Sequence, residues 1–289
     1  MSFKIVSINC GLGNSMFQYA FAKSLQKHLK IEVLLDKTWY SQKDYIKYFA
    51  LDLFDIDLPY ASTEQVKYAN RKTTFFPGFI RKRFNVPKCK YVGTPATSFE
   101  FCGNFFKPSH YECFTGQFQN PKYFQDISDI IRKTFVFPSI RDDFTKQRLD
   151  KINSVENSVF IHLRRGDYTS LGWALELSYY KKAINYILER VENPKFFVFG
   201  ATDLEFIKTL DLGCHFDNLS EINSNLTNHY EDMRLMSHCK HGIVANSTYS
   251  WWSAWLGNQK GKIITAPSPW LFDNDEIICE NWVKISTKD

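Results

Sequence analysis

Between residues 158 and 266, short β-branched and aromatic runs alternate with stretches of helical periodicity, and that alternation leaves few folds open. After a run at 158–162 the pattern predicts a helix over 179–191, a strand over 195–199 and a helix over 204–210 closed by Gly213. A helix at about 229–239, a strand over 242–245, a helix over 249–256 closed by Gly257 and a strand over 263–266 follow. Strands separated by helices of this length form a parallel sheet covered on both faces. The first 36 residues repeat the logic: a strand over 4–8, a turn at Cys10-Gly11-Leu12-Gly13-Asn14, a helix over 16–29 and a strand over 31–35 ending in Asp36. The expectation is an α/β protein with two tandem Rossmann-like domains, 1–150 and 151–289, joined near Asp150.

The region between is less regular. Pro59, Pro77, Pro87, Pro95, Pro108 and Pro121 break 39–137 into short pieces, with an extended segment at 116–124 leading to a helix at 127–133. A chain of 289 residues that is 44% hydrophobic and 17% aromatic has ample material for two cores. No apolar run approaches the roughly 18 residues of a membrane span, and Met1 to Val6 reads as a strand rather than a signal peptide, so a cytoplasmic protein is expected. Seven scattered cysteines without a CxxC suggest reduced thiols, not a disulfide framework or a zinc site.

The formal charge is +5, but 70–91 alone holds Arg71, Lys72, Arg81, Lys82, Arg83, Lys88 and Lys90 without an acid, leaving the remainder at −2. Interleaved with Phe75, Phe76, Phe79 and Phe84, this window suits an anionic membrane face or a nucleic acid, or is simply an exposed basic loop.

Chemistry-bearing residues gather where strands end. The run Ser158-Val159-Phe160-Ile161 leads into His162-Leu163-Arg164-Arg165-Gly166-Asp167-Tyr168. In open α/β sheets ligands sit beyond the carboxyl ends of strands, and a guanidinium fork suits a diphosphate. Gly166 lets backbone approach a ligand; Asp167 and His162 are both candidate bases. The second such place is Asn246-Ser247-Thr248-Tyr249-Ser250, where Ser247, Thr248 and Ser250 stand at a helix start able to receive phosphate. Trp251, Trp252 and Trp255 fit core spacing. Glu231 and Asp232 open a helix, as dipole complements or as contacts to a base or sugar. The first turn carries Gly13 and Asn14 but has Met16 where a dinucleotide fingerprint needs a third glycine, which weakens a nicotinamide-dependent oxidoreductase reading. Nucleic-acid binding through the basic window would leave the arginine strand idle. Asp55-Ile56-Asp57 and Asp273-Asn274-Asp275 read as turn acids rather than metal ligands.

Taken together, Cys10 to Ala20, His162 to Tyr168, His229 to Met236 and Asn246 to Trp252 resemble the bacterial α-1,2-fucosyltransferases of glycosyltransferase family 11, departing from the family pattern at Cys10 and Ser15. The resemblance implies a GT-B fold and inverting transfer of fucose from GDP-β-L-fucose to the 2-hydroxyl of a terminal galactose on a glycan. It implies Arg165 as stabiliser of the departing diphosphate, supported by Arg164 and by Gly13, Asn14, Asp232, Asn246, Ser247, Thr248 and Ser250 around the donor. No metal or other cofactor is expected. Neither is a nucleic-acid partner, and 71–90 would touch the inner membrane through a lipid-linked acceptor.

Overall fold

The computed structural model describes residues 3–42, 49–69, 90–95, 97–107, 111–200, 204–220 and 230–288. The basic window lies outside the described residues except for Lys90 and Tyr91. The chain divides into two compact units, Met1–Val136 and Phe137–Asp289. The division falls upstream of Asp150 because the polar helix around that residue packs on a helix of the second unit.

In the first unit, β1 (Phe3–Ser7), α1 (Leu12–Leu29) and β2 (Glu32–Asp36) form the βαβ start, with Phe3 beside Glu32 and Ser7 beside Asp36. Next come α2 (Thr63–Ala69), β3 (Lys90–Val92), β4 (Cys113–Thr115) and α3 (Ser128–Thr134). The four strands are parallel in the order β2-β1-β4-β3. Helix α1 is buried almost all round through Leu25, which is why its sequence lacks a polar face. Phe21 stacks on Phe118 with centroids 3.9 Å apart and meets Phe105, Phe114 and Tyr123 edge-on. The helix starts at Leu12, four residues before the expected position. Cys10 turns the chain at φ 64 and extended Gly11 forms the N-cap, so Gly13 and Asn14 belong to the first helical turn.

The second unit comprises α4 (Asp143–Asn153), β5 (Ser158–His162), α5 (Asp167–Ser170), α6 (Leu177–Leu188), β6 (Lys195–Phe199), α7 (Leu204–Thr209) and β7 (Phe216–Asn218). It is completed by α8 (Glu231–His238), β8 (His241–Ile243), α9 (Thr248–Leu256), β9 (Ile264–Ser268) and β10 (Val283–Ser286). All six strands are parallel, in the order β10-β9-β8-β5-β6-β7. Counted within the unit, that is the 3-2-1-4-5-6 order of a doubly wound Rossmann sheet. Central β5 is buried at every position, between α6 residues such as Tyr179, Ala183 and Ile184 on one face and α8 and α9 on the other side of the sheet. Close packing reaches Gly242, where a Cβ would lie 2.2 Å from the Phe160 ring.

Strand order decides where a site can form. In the second sheet the chain winds one way from β5 and the other way from β8, opening a crevice beyond their carboxyl ends; in the first, β1 and β4 are the adjacent central strands, and the loops that follow them meet at one end of the sheet. In the first unit that crevice lies beyond β1 and β4; in the second, beyond β5 and β8.

Candidate active site

Beyond β5 the backbone of Leu163 still bonds to Phe199, so the arginine loop leaves a rigid strand end. Gly166 adopts φ 57, ψ −121, a conformation for which glycine is suited and which lets the loop reverse into α5. Arg164 donates to Asp167 at 2.7 Å and lies 4.8 Å over the Tyr168 ring, while its Nε is buried without a partner. Arg165 is exposed, its guanidinium 4.1 Å over the Phe206 ring. Both guanidiniums are thus steadied by an aromatic face, leaving N–H groups for an anion.

Beyond β8 the second loop joins the first. Tyr168 donates to the Asn246 carbonyl at 3.3 Å, and Asn246 Nδ2 donates to the Trp173 carbonyl at 2.9 Å. Asn246 is 3% exposed and its Oδ1 has no partner, a buried acceptor awaiting a donor. Ser247 caps α9 by accepting from the Tyr249 N–H at 3.3 Å, and Thr248 is the first helical residue. Ser250 is sequestered: fully buried, it donates to Ser247 and Ala245 carbonyls and holds the strand-to-helix turn instead of facing a ligand.

His162 ends β5, 4% exposed, against Gly200 and with its ring centroid 5.9 Å from that of Tyr249. Burial and, secondarily, nearby Arg164 push its pKa down to about 3, so it is a neutral imidazole inside the sheet end. Asp232, in the first turn of α8, is bound by Arg148 of α4 at 2.9 Å. Arg148 is 5% exposed and also donates to the Leu219 carbonyl at 2.8 Å. Arg148 was not anticipated, although Thr145, Arg148 and Ile152 fall on one buried stripe of α4 at helical spacing. The neighbouring Glu231 is sequestered by Arg234 at 2.7 Å and is structural.

In the first unit the crevice holds an amide cluster. Gln18 of α1 accepts from the Asn9 N–H at 2.9 Å and donates to Asn9 Oδ1 and the Gly116 carbonyl, each at 3.0 Å. Gln117 donates to Asn9 Oδ1 at 3.1 Å, and Gln119 to Asn14 Oδ1 at 3.0 Å. Asn14, in the first turn of α1, is thereby oriented at the crevice; no periodicity reveals these three glutamines, because Gln117 and Gln119 bond to residues more than 100 positions away and Gln18 reaches both Asn9 and the Gly116 carbonyl. Asp57 accepts from Tyr19 and Lys23, and Asp275 from Ser268 and the Trp270 N–H, so both Asp-x-Asp strings are structural turns.

The sequence profile of Glycosyl transferase family 11 matches residues 4–286. The chain belongs to that family. An α-1,2-colitosyltransferase of Escherichia coli is 31% identical over 99% of both chains, and the O-antigen biosynthesis glycosyltransferase WbnK of Escherichia coli is 29% identical over 95% of this chain and 98% of its own. Among solved structures, the fucosyltransferase NodZ from Bradyrhizobium superposes with a TM-score of 0.52 at 13% identity, covering 87% of this chain and 91% of its own. NodZ has also been co-crystallised with GDP.

The two tandem parallel units are therefore of GT-B type, and the protein is a glycosyltransferase of family 11. Among the described residues, no helix is long and apolar enough to cross a membrane.

Proposed function

We propose that this family 11 enzyme is an inverting α-1,2-fucosyltransferase, moving L-fucose from GDP-β-L-fucose to the 2-hydroxyl of a terminal galactose on a lipopolysaccharide or oligosaccharide glycan. The observation that carries the reading is the convergence at one switch point of Arg164, Arg165 and a Ser247-capped helix start, with Arg164 Nε and Asn246 Oδ1 both buried and unpartnered. A nucleoside diphosphate sugar supplies the missing partners: phosphate oxygens for the arginine and helix N–H groups, hydroxyls for the asparagine.

Inversion is one displacement. The acceptor oxygen attacks the anomeric carbon as the diphosphate departs, so charge grows on the β-phosphate while a base takes the acceptor proton. Arg165 is assigned to that growing charge and Arg164 to holding the diphosphate. Asp167 is assigned as base, since its carboxylate is open to solvent, whereas neutral His162 is walled in. Asp232, steadied by Arg148, is assigned to the nucleoside, Gly13 and Asn14 to the donor, and the first unit to the acceptor. No metal is required for charge neutralisation by arginines, and the 71–90 window is assigned to the cytoplasmic membrane face.

The test is GDP release from GDP-fucose with lactose in excess EDTA. Wild type turns over, and Arg165→Ala falls by about 10²–10³ in kcat, the size of a lost transition-state contact. The colitosyl relative favours one second reading, a donor carrying colitose. Turnover with GDP-colitose and none with GDP-fucose would establish it.

A further inference from the structure

After β9, residues 270–275 form a hairpin tip with an unusual occupant. The Asn274 N–H bonds to the Leu271 carbonyl at 3.0 Å, and Leu271 pairs antiparallel with Asn274. The two central residues, Phe272 and Asp273, both stand at φ 52. Two consecutive positive-φ residues are the mark of a type I′ turn, which selects asparagine and glycine; a phenylalanine there is sterically strained. The strain is held in place from beneath. Asp275 accepts from Ser268 at 2.6 Å and from the Trp270 N–H at 3.0 Å, and Trp270 is 2% exposed.

The strained residue displays its ring outward. Phe272 is 51% exposed and meets Trp173 edge-on, centroids 5.7 Å apart at 85°. Trp173 meets Tyr168 in the same way at 5.6 Å and 88°, and Tyr168 lies under Arg164. Leu171, 52% exposed beside Gly172 at φ 69, extends the apolar surface. A continuous shelf thus runs from the arginine loop to the hairpin tip, within the second unit alone. Exposed Asp167, Thr169, Ser170 and Asp273 rim it with hydroxyl and carboxylate oxygens.

Aromatic faces bordered by oxygen acceptors match a pyranose, which presents C–H bonds on one face and hydroxyls around its edge. The rim carboxylates are paired, Asp167 with Arg164 at 2.7 Å and Asp273 with Lys288 at 3.6 Å, so the shelf offers balanced charge and oxygen acceptors, and a handful of side chains falls far short of the roughly 800 Å² per partner of a protein interface. Strain retained at a ring displayed beside a reaction centre is the pattern of a ligand clamp. We infer that Phe272 and Trp173 form an acceptor subsite that stacks a galactose-type pyranose next to the arginine loop. This rests on the glycosyl transfer proposed above and adds acceptor recognition by the second unit itself.

The experiment compares wild type with Phe272→Asn and Phe272→Tyr, reading acceptor KM for lactose, donor KM, donor hydrolysis without acceptor, and melting temperature. Phe272→Asn relieves the turn, so its melting temperature equals or exceeds wild type while acceptor KM rises about tenfold, the worth of one aromatic contact with its buried area. Donor KM and donor hydrolysis stay unchanged, and Phe272→Tyr behaves as wild type. Acceptor KM within about twofold of wild type in Phe272→Asn overturns the subsite, since one tenfold step is only ~1.4 kcal/mol. Saturation-transfer NMR of methyl β-galactoside, without nucleotide, separates the two proposals. A signal in wild type that is lost in Phe272→Asn upholds the shelf even where no transfer from GDP-fucose is seen, and an identical signal in both overturns it.

Discussion

Breaking the Arg148–Asp232 pair is the perturbation whose outcome the structure defines most closely. Arg148 is 5% exposed, and three acceptors hold it: Asp232 at 2.9 Å, the Leu219 carbonyl at 2.8 Å and Thr145 at 3.4 Å. Removing one partner of a buried pair leaves an uncompensated charge, a loss of roughly 3–5 kcal/mol. The Asp232 side chain is 17% exposed and keeps some water, so about 2–3 kcal/mol is expected for either Arg148→Met or Asp232→Asn. The double variant buries no lone charge and should be more stable than the sum of singles by about 2 kcal/mol. Urea unfolding followed by tryptophan fluorescence reads this directly, because six of the seven tryptophans lie in the second unit. Additivity within ~0.5 kcal/mol would refute the reasoning and reduce the pair to a solvated surface contact. Arg148→Met should also raise donor KM with kcat little changed, since it loosens Asp232 without touching the arginine loop.

Gly200→Ala places a Cβ 2.5 Å from the Leu163 carbonyl at φ 80, so strain and clash together should remove about 3 kcal/mol and lower kcat by shifting the residue before Arg164; wild-type stability would contradict this. His162 folds with its pKa lowered by burial to about 3, below the unfolded value of 6.5, so its contribution is complete above about pH 6.5 and declines as pH falls toward 3. Chemical denaturation of the full chain between pH 6.5 and 4.5 should show that decline, and His162→Gln should make it shallower, the remainder coming from His241, which burial also holds down, to about 4. Ser247→Ala removes the α9 cap and should cost about 1 kcal/mol while raising donor KM. Ser250→Ala should cost a similar amount with donor KM unchanged, which kinetics and melting curves on the same preparation distinguish.

Much of the second unit was legible from its residues. Buried parallel strands are continuous apolar runs, so the Lys195–Phe199 strand stands where the pattern puts it, and Thr248–Leu256 is displaced by one residue. Phe216–Asn218 and Val283–Ser286 were missed, one being only three residues long and the other alternating Val-Lys-Ile-Ser at a sheet edge. In the first unit, β3 and β4 are three residues each and leave no periodic trace.

The sequence by itself determined the fold class and the residues that carry charge at strand ends. Periodicity is a local property, and an Arg-Arg-Gly-Asp string after a buried strand has chemistry wherever that strand lies. Only the tertiary structure decided that β5 and β8 are neighbours, which brings Arg164 and Asn246 to one crevice. It also decided that His162 and Ser250 face inward, that Arg148 restrains Asp232, and that Phe272 is lifted onto Trp173 by a turn unsuited to it. Apart from the local bonds of Ser250 to Ala245 and Ser247, these depend on groups tens of residues apart, and the free energy of burying or pairing them exists only once the chain has brought them together.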